Sequence, residues 1–236
     1  MHRRARHLLF SAKSANALVA IDSRTITGVA AGGNVASWGN KGTLSVTFAG
    51  VASRNPNYIE NVQGGQPVVR FTGTTPTAMS ASYTDTISQY VWICTLIPRS
   101  ISAFKHLVTT DDGTFNIIKF SVSHNNTNVT GTTVRSPVGD FYPYSTPTAL
   151  PYVLSIGYNG TTLIAYRTNV TATISYSGTT NRICLGARLT GSDGATSDLC
   201  QFVIFPSSIS KSLRRRFETA ASAAFKIEDI NNVAVQ

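Results

Sequence analysis

An all-β, antiparallel sandwich with one C-terminal amphipathic helix is the architecture this sequence predicts, on three observations. Short apolar or alternating runs separated by Gly, Pro, Asn and Asp recur along the chain. Threonine and valine are abundant, and a single segment near the C-terminus carries helical periodicity. The chain has 236 residues, enough to bury a sizeable core, and all-β sandwiches of this size are commonly single domains. Hydrophobic residues make up 42% and charged residues 13%, too apolar for a disordered chain. No apolar run approaches the roughly 20 residues a membrane-spanning helix needs, so membrane insertion is not expected.

The elements follow in order. "MHRRARHLLFSAKS" opens on basic residues, but its apolar run is only Leu8-Leu9-Phe10, shorter than the roughly 7–15 residues of a signal peptide core. No secretion signal is expected, and residues 1–15 read as a basic arm ahead of a domain spanning 16–236. In "GGQPVVRFTGTT" (64–75), alternation places Val69 and Phe71 on one face and Val68, Arg70 and Thr72 on the other. This strand reads as scaffold, with Arg70 turned outward or into a polar pairing. "YVWICTLI" (90–97) is apolar on both faces and predicts a central strand covered on both sides. "NIIKFSVSH" (116–124) predicts a half-buried strand. In "YVLSIGYNGTTLIAYRTNV" (152–170) two runs flank Asn159-Gly160, which predicts a hairpin with a type I′ turn. "LCQFVIF" (199–205) is another β run, stopped by Pro206. In "SISKSLRRRFETAASAAFKI" (208–227), Ser208 or Ser210 can cap a helix whose buried stripe is Ile209, Leu213, Phe217, Ala220, Ala221 and Ala224. Arg214, Arg215 and Arg216 then fall on its flanks and outer face.

Several of these stretches resemble a known family. "ALVAIDSRTITGVAAGGNVASWGNKG" (17–42) resembles the opening of concanavalin A-like (laminin G-like) jelly-roll domains, and "GGQPVVRFTGTT" their G-x-P-x-V-x-F-x-G strand. "LSIGYNGTTLIAYRTNVTA" (154–172) is similar to their hairpin, and the segment from "LGARLTG" to "AAFKI" to their closing strand, helix and tail. The matches occur in the family's order from about Asn16 to Ile227. They imply a two-sheet jelly roll and a binding function, in some members with calcium. One departure stands out: the family often carries an acidic residue after the tryptophan, whereas Gly39-Asn40 follow Trp38 here.

Catalysis is not expected from the sequence. Jelly-roll glycosidases need two carboxylates flanking the scissile bond, and the three glutamates Glu60, Glu218 and Glu228 have no acidic partner two or four residues away. Asp111-Asp112-Gly113 favours a turn, since adjacent strand residues face opposite ways. The histidines His2, His7, His106 and His124 lack metal-ligand spacing, and no serine sits in a nucleophile elbow. Cys94, Cys184 and Cys200 read as buried, reduced thiols, with no C-x-x-C pair for zinc. No cofactor is expected. For calcium, the oxygen donors to weigh are Asp111, Asp112, Asn125, Asn126 and Asn128, against a role as turn formers.

The net charge of +9 favours an acidic partner, with basic residues clustered at Arg3, Arg4, Arg6 and Lys13 and again at Lys211 and Arg214 to Arg216. No recognised nucleic-acid module appears, so nucleic acid is not the expected partner. The arm, through Arg3, Arg4 and Arg6, is a candidate for docking on an acidic protein surface, against a frayed terminus. "GDFYPYSTPTALP" (139–151) reads as a proline-stiffened loop carrying Phe141, Tyr142 and Tyr144, rings able to stack on sugars or anchor a partner, or else to fold over the sandwich edge. The leading expectation is a non-enzymatic bacteriophage virion protein, a capsid decoration (cement) or tail component made in the host cytoplasm. It would bind other virion proteins as a homo-oligomer. The alternative is a carbohydrate-binding, lectin-like module that recognises host surface glycans.

Overall fold

The computed structural model describes residues 16–87, 89–99, 105–111, 120–125, 131–136, 139–145, 150–160, 162–166, 170–173, 180–187, 194–206 and 209–227. Eight strands lead the chain: β1 (Val19–Asp22), β2 (Ser37–Gly39), β3 (Thr47–Gly50), β4 (Asn57–Gln63), β5 (Gln66–Phe71), β6 (Met79–Ile87), β7 (Tyr90–Pro98) and β8 (Lys105–Asp111). The rest are β9 (Phe120–Asn125), β10 (Gly131–Ser136), β11 (Gly139–Ser145), β12 (Tyr152–Tyr158), β13 (Thr162–Ala165), β14 (Val170–Thr173), β15 (Thr180–Leu185) and β16 (Ser197–Pro206), followed by helix α1 (Lys211–Phe225).

They form two antiparallel sheets. The first runs β14-β13-β12-β7-β16-β5-β4, and the second β11-β10-β9-β8-β15-β6-β3-β2. One flank of β16 is shared between two partners: Ser197 to Leu199 pair with β5, and Gln201 to Ile204 with β1. A register shift between Leu199 and Gln201 against β7 marks a bulge at Cys200.

Burial on both faces of the first sheet explains the apolar runs. Its inner face meets the second sheet through Phe71, Trp92, Phe202 and Ile204 against Trp38, Phe48 and Met79; Trp92 and Phe202 meet edge to face at 5.6 Å. Its outer face carries Val68, Val91, Ile93, Val203 and Phe205, which pack on Phe217, Ala221 and Phe225 of α1. Central strand β7 is therefore buried at every position, as its sequence predicts. The Phe205–Phe217 edge contact at 5.0 Å anchors the helix. Burying one such ring stabilises by about 2–3 kcal/mol.

Helix α1 begins where Ser210 accepts a hydrogen bond from the Leu213 N–H (3.2 Å) and ends at Lys226 in the left-handed region. Its first half stacks Arg214 over Tyr166, beyond β13, at 4.1 Å. Its end meets the β4–β5 turn, where Gln63 Nε2 donates to the Phe225 carbonyl (2.8 Å). Fifteen residues at 1.5 Å each reach about 22 Å, close to the roughly 24 Å of five strand spacings. The helix thus lies across the strands rather than along them. Arg215 and Arg216 are exposed as expected, but Arg214 is not: it is buried, with Nη1 donating to Glu218 Oε1 (2.6 Å).

The turns match the sequence in part. Gly64 and Gly65 take φ of +61° and +75° between the paired Gln63 and Gln66, the two-residue turn that needs left-handed backbone at both positions. The β12–β13 hairpin forms as predicted, but not through a type I′ turn. Gly160 is left-handed and Asn159 is not; instead Asn159 Oδ1 accepts from the Thr162 N–H (2.8 Å), and the closing pair is Tyr158 with Leu163.

Asn40 explains the departure from the resembled family. Its Nδ2 donates to the carbonyls of Leu18 (3.0 Å) and Leu44 (2.7 Å), while Oδ1 accepts from the N–H groups of Ala20 (2.7 Å) and Gly42 (2.8 Å). The carboxamide ties β1 to the turn between β2 and β3. A carboxylate, which has no donor, could not make the two bonds to the Leu18 and Leu44 carbonyls.

Candidate functional site

A lone acid in a strand buried on both faces must find compensating charge. Asp198, the second residue of β16, is fully buried. The β5–β16 register places Arg70 directly opposite it, and β7 ends at Pro98 opposite Ser197, so Arg99 follows within reach. Arg70 Nε and Nη2 donate to Asp198 Oδ1 (2.7 Å) and Oδ2 (3.0 Å), a side-on bidentate pair. Arg99 adds Nε and Nη2 contacts to Oδ2 at 2.7 and 2.6 Å. The hydrogen bond to Asp198 holds the Arg70 pKa above its ordinary value. About a third of each arginine side chain stays in solvent, 33% and 30%. Among the described residues one carboxylate faces two guanidiniums here, a surplus of positive charge at the surface.

The backbone around the cluster is held by hydrogen bonds. Arg99 N–H donates to the Thr196 carbonyl (2.9 Å), and Gly73 N–H to Thr196 Oγ1 (3.0 Å), which fixes the turn that leaves β5 against the entry to β16. That turn is closed by Thr72 N–H donating to Thr77 Oγ1 (2.9 Å). Farther along the outer face, buried Asp22 accepts from Arg24 Nε (2.8 Å) and Nη2. Cys200 lies under both ion clusters; burial first, then Asp198 and Asp22, push its thiol pKa well up. Asp22, Gln201 and Thr95 continue the polar strip across β1, β16 and β7.

The residues singled out by the sequence are placed otherwise. Phe141, Tyr142 and Tyr144 fall in β11, the edge strand of the second sheet, and not in a loop. Thr132 pairs with Tyr144 and Val134 with Phe141, so β11 has an extra residue around Pro143. Proline is tolerated there because an edge strand at a bulge needs no N–H from it. Arg3, Arg4, Arg6 and Lys13 lie outside the described residues, as do Asp112, Asn126, Asn128 and Glu228. Of the calcium donors, Asp111 and Asn125 stand at opposite ends of the β8–β9 hairpin, since Thr110 pairs with Phe120 and Lys105 with His124. That is about 20 Å at strand rise, so those two cannot share an ion. Glu60 is exposed on β4 and Glu218 is paired with Arg214. Cys94, Cys184 and Cys200 are buried, and none of them is in a disulfide.

The cluster around Asp198 escaped the sequence reading because its members, 70, 99 and 198, meet only through strand pairing. One signal was there: a single acid at the head of the apolar run "SDLCQFVIF".

No protein-family model matches the chain, and no curated protein sequence matches it. Solved structures do. The Trypanosoma rangeli sialidase in complex with sialic acid is similar over 96% of this chain and 38% of its own, with a TM-score of 0.63 and 9% identity. The binding domain of botulinum neurotoxin DC in complex with SialylT is similar over 87% of this chain and 52% of its own (TM-score 0.58, 9% identity). Botulinum neurotoxin type C, in a structure concerned with two ganglioside molecules in cell entry, is similar over 89% and 53% (TM-score 0.58, 8% identity). The two sheets and these likenesses fit a concanavalin A-like β-sandwich. This chain spans about two fifths to one half of those chains.

The comparison corrects the non-enzyme expectation. Sialidases are enzymes, and this fold occurs within their chains as well as in toxin binding domains. The absence of a paired-glutamate pattern therefore does not license that reading. None of these three structures is a virion protein, and the virion reading gains no support from them.

Proposed function

We propose that the chain is a lectin-like, carbohydrate-binding β-sandwich module. The observation that carries this reading is the shared fold: the chain is similar over 87% of its length to a botulinum neurotoxin binding domain in complex with SialylT, over 89% to botulinum neurotoxin type C, whose cell entry depends on two ganglioside molecules, and over 96% to a sialidase in complex with sialic acid. A rigid sandwich presenting polar groups at strand ends and edges suits sugar recognition, where fixed side chains limit the entropy lost on binding. The cluster at Asp198 supplies such groups at one end of the first sheet. Edge strand β11, with Phe141, Tyr142 and Tyr144, supplies residue types that stack on sugars. The test is saturation-transfer NMR of the purified chain against neutral and acidic oligosaccharides. Transfer to at least one class supports the reading, and none at millimolar ligand overturns it.

A further inference from the structure

We infer that Arg70 and Arg99, held together by Asp198, form the subsite for the carboxylate of an acidic sugar; this rests on the glycan-binding reading and names the ligand class. Asp198 is the first premise. It is fully buried and already satisfied by the side-on pair with Arg70, so neutralising it requires one guanidinium and the structure supplies two. Both arginines place an Nη2 on the same oxygen, at 3.0 and 2.6 Å, which brings two like charges together beside a single carboxylate. An anion arriving from solvent completes the charge balance.

The second premise is free capacity. Each guanidinium uses Nε and Nη2 on Asp198, and no further side-chain partner of either is found among the described residues. The Nη1 groups remain to donate, on side chains about one third exposed. The third is rigidity. A buried carboxylate locks both arginines, and the Thr196 contacts to Arg99 and Gly73 fix the backbone around them, so little rotamer entropy is lost when an anion docks. Planar guanidinium edges match the planar, two-oxygen carboxylate. Neighbouring Arg24 is committed to Asp22 and does not change the balance.

Calorimetric titration of the chain with sialyllactose, lactose and sulfated lactose tests the assignment. The wild type should prefer sialyllactose to both. Arg99→Gln, which leaves Asp198 paired with Arg70, should weaken sialyllactose by about 10–100-fold, the loss of a charge-assisted pair, and so abolish the preference for sialyllactose over lactose. Arg70→Gln is the second variant, in case the first unfolds. Equal affinity for sialyllactose and lactose, or sialyllactose binding that survives both substitutions, overturns the inference and leaves the glycan-binding reading standing. Equal or tighter binding of sulfated lactose overturns the carboxylate assignment. A folded wild type that binds no oligosaccharide of any class overturns both.

Discussion

Replacing Asn40 by Asp changes one atom's chemistry at a junction the structure describes fully. The side chain now donates to Leu18 and Leu44 and accepts from Ala20 and Gly42. A carboxylate keeps the two acceptor bonds and loses both donor bonds, each worth about 0.5–1.5 kcal/mol. It also turns an oxygen toward two carbonyl oxygens. Neither carbonyl is orphaned, because Leu44 N–H donates to Leu18 (3.1 Å) and Val46 N–H to Leu44 (3.0 Å), and Asn40 is only half-buried. The expected loss for Asn40→Asp is therefore about 2–3 kcal/mol, or about 4–12 °C in the thermal midpoint of a chain this size. The introduced carboxyl is disfavoured when charged, so its folded pKa rises above the unfolded value. The deficit should be full at neutral pH and shrink as pH falls through that range. Scanning calorimetry of both proteins from acid to neutral pH reads it. A variant as stable as the wild type at neutral pH, or a deficit that grows on acidification, would show that the Asn40 donor bonds do not stabilise the junction.

Other outcomes follow from the same structure. Arg214→Ala removes the partner of buried Glu218 and uncovers Tyr166; urea unfolding should show a loss of about 3–5 kcal/mol, and the double change Arg214→Met with Glu218→Leu should recover most of it. Phe217→Ala opens a cavity between α1 and the first sheet and should cost about 3–5 kcal/mol in the same assay. Gly186→Ala should destabilise by at least about 1–2 kcal/mol, since Gly186 has φ +83° and the Phe71 ring occupies the space a Cβ would take. Burial raises the thiol pKa of Cys94 and Cys200, so the folded protein should resist thiol labelling at mildly alkaline pH and react once unfolded. Stoichiometric labelling of the native state would contradict the described core.

What the sequence showed and what it hid divide along physical lines. Local patterns were legible: β7 is apolar on both faces because α1 and the second sheet cover it, and Ser210 and the Phe217 stripe mark the helix. Arg214 was misplaced because a helical wheel does not show that α1 crosses the sheet and sets its flank on Tyr166. The stretch 139–145 looked like a loop because Pro143 normally breaks a strand, whereas an edge position with an extra residue accommodates it. Asn159-Gly160 signalled a hairpin, but the Asn159 side chain built a wider turn. The charge cluster was illegible for a different reason. Residues 70, 99 and 198 are brought together by β5, β7 and β16, and such long-range register has no local signature.

Carbohydrate binding by this sandwich is read by retention of the purified, folded chain on a broad glycan array at moderate ionic strength. Dose-dependent retention is expected on a subset enriched in acidic sugars, weakened by added salt as exposed arginines require. Absence of retention on any glycan, by a chain shown to be folded, would contradict it.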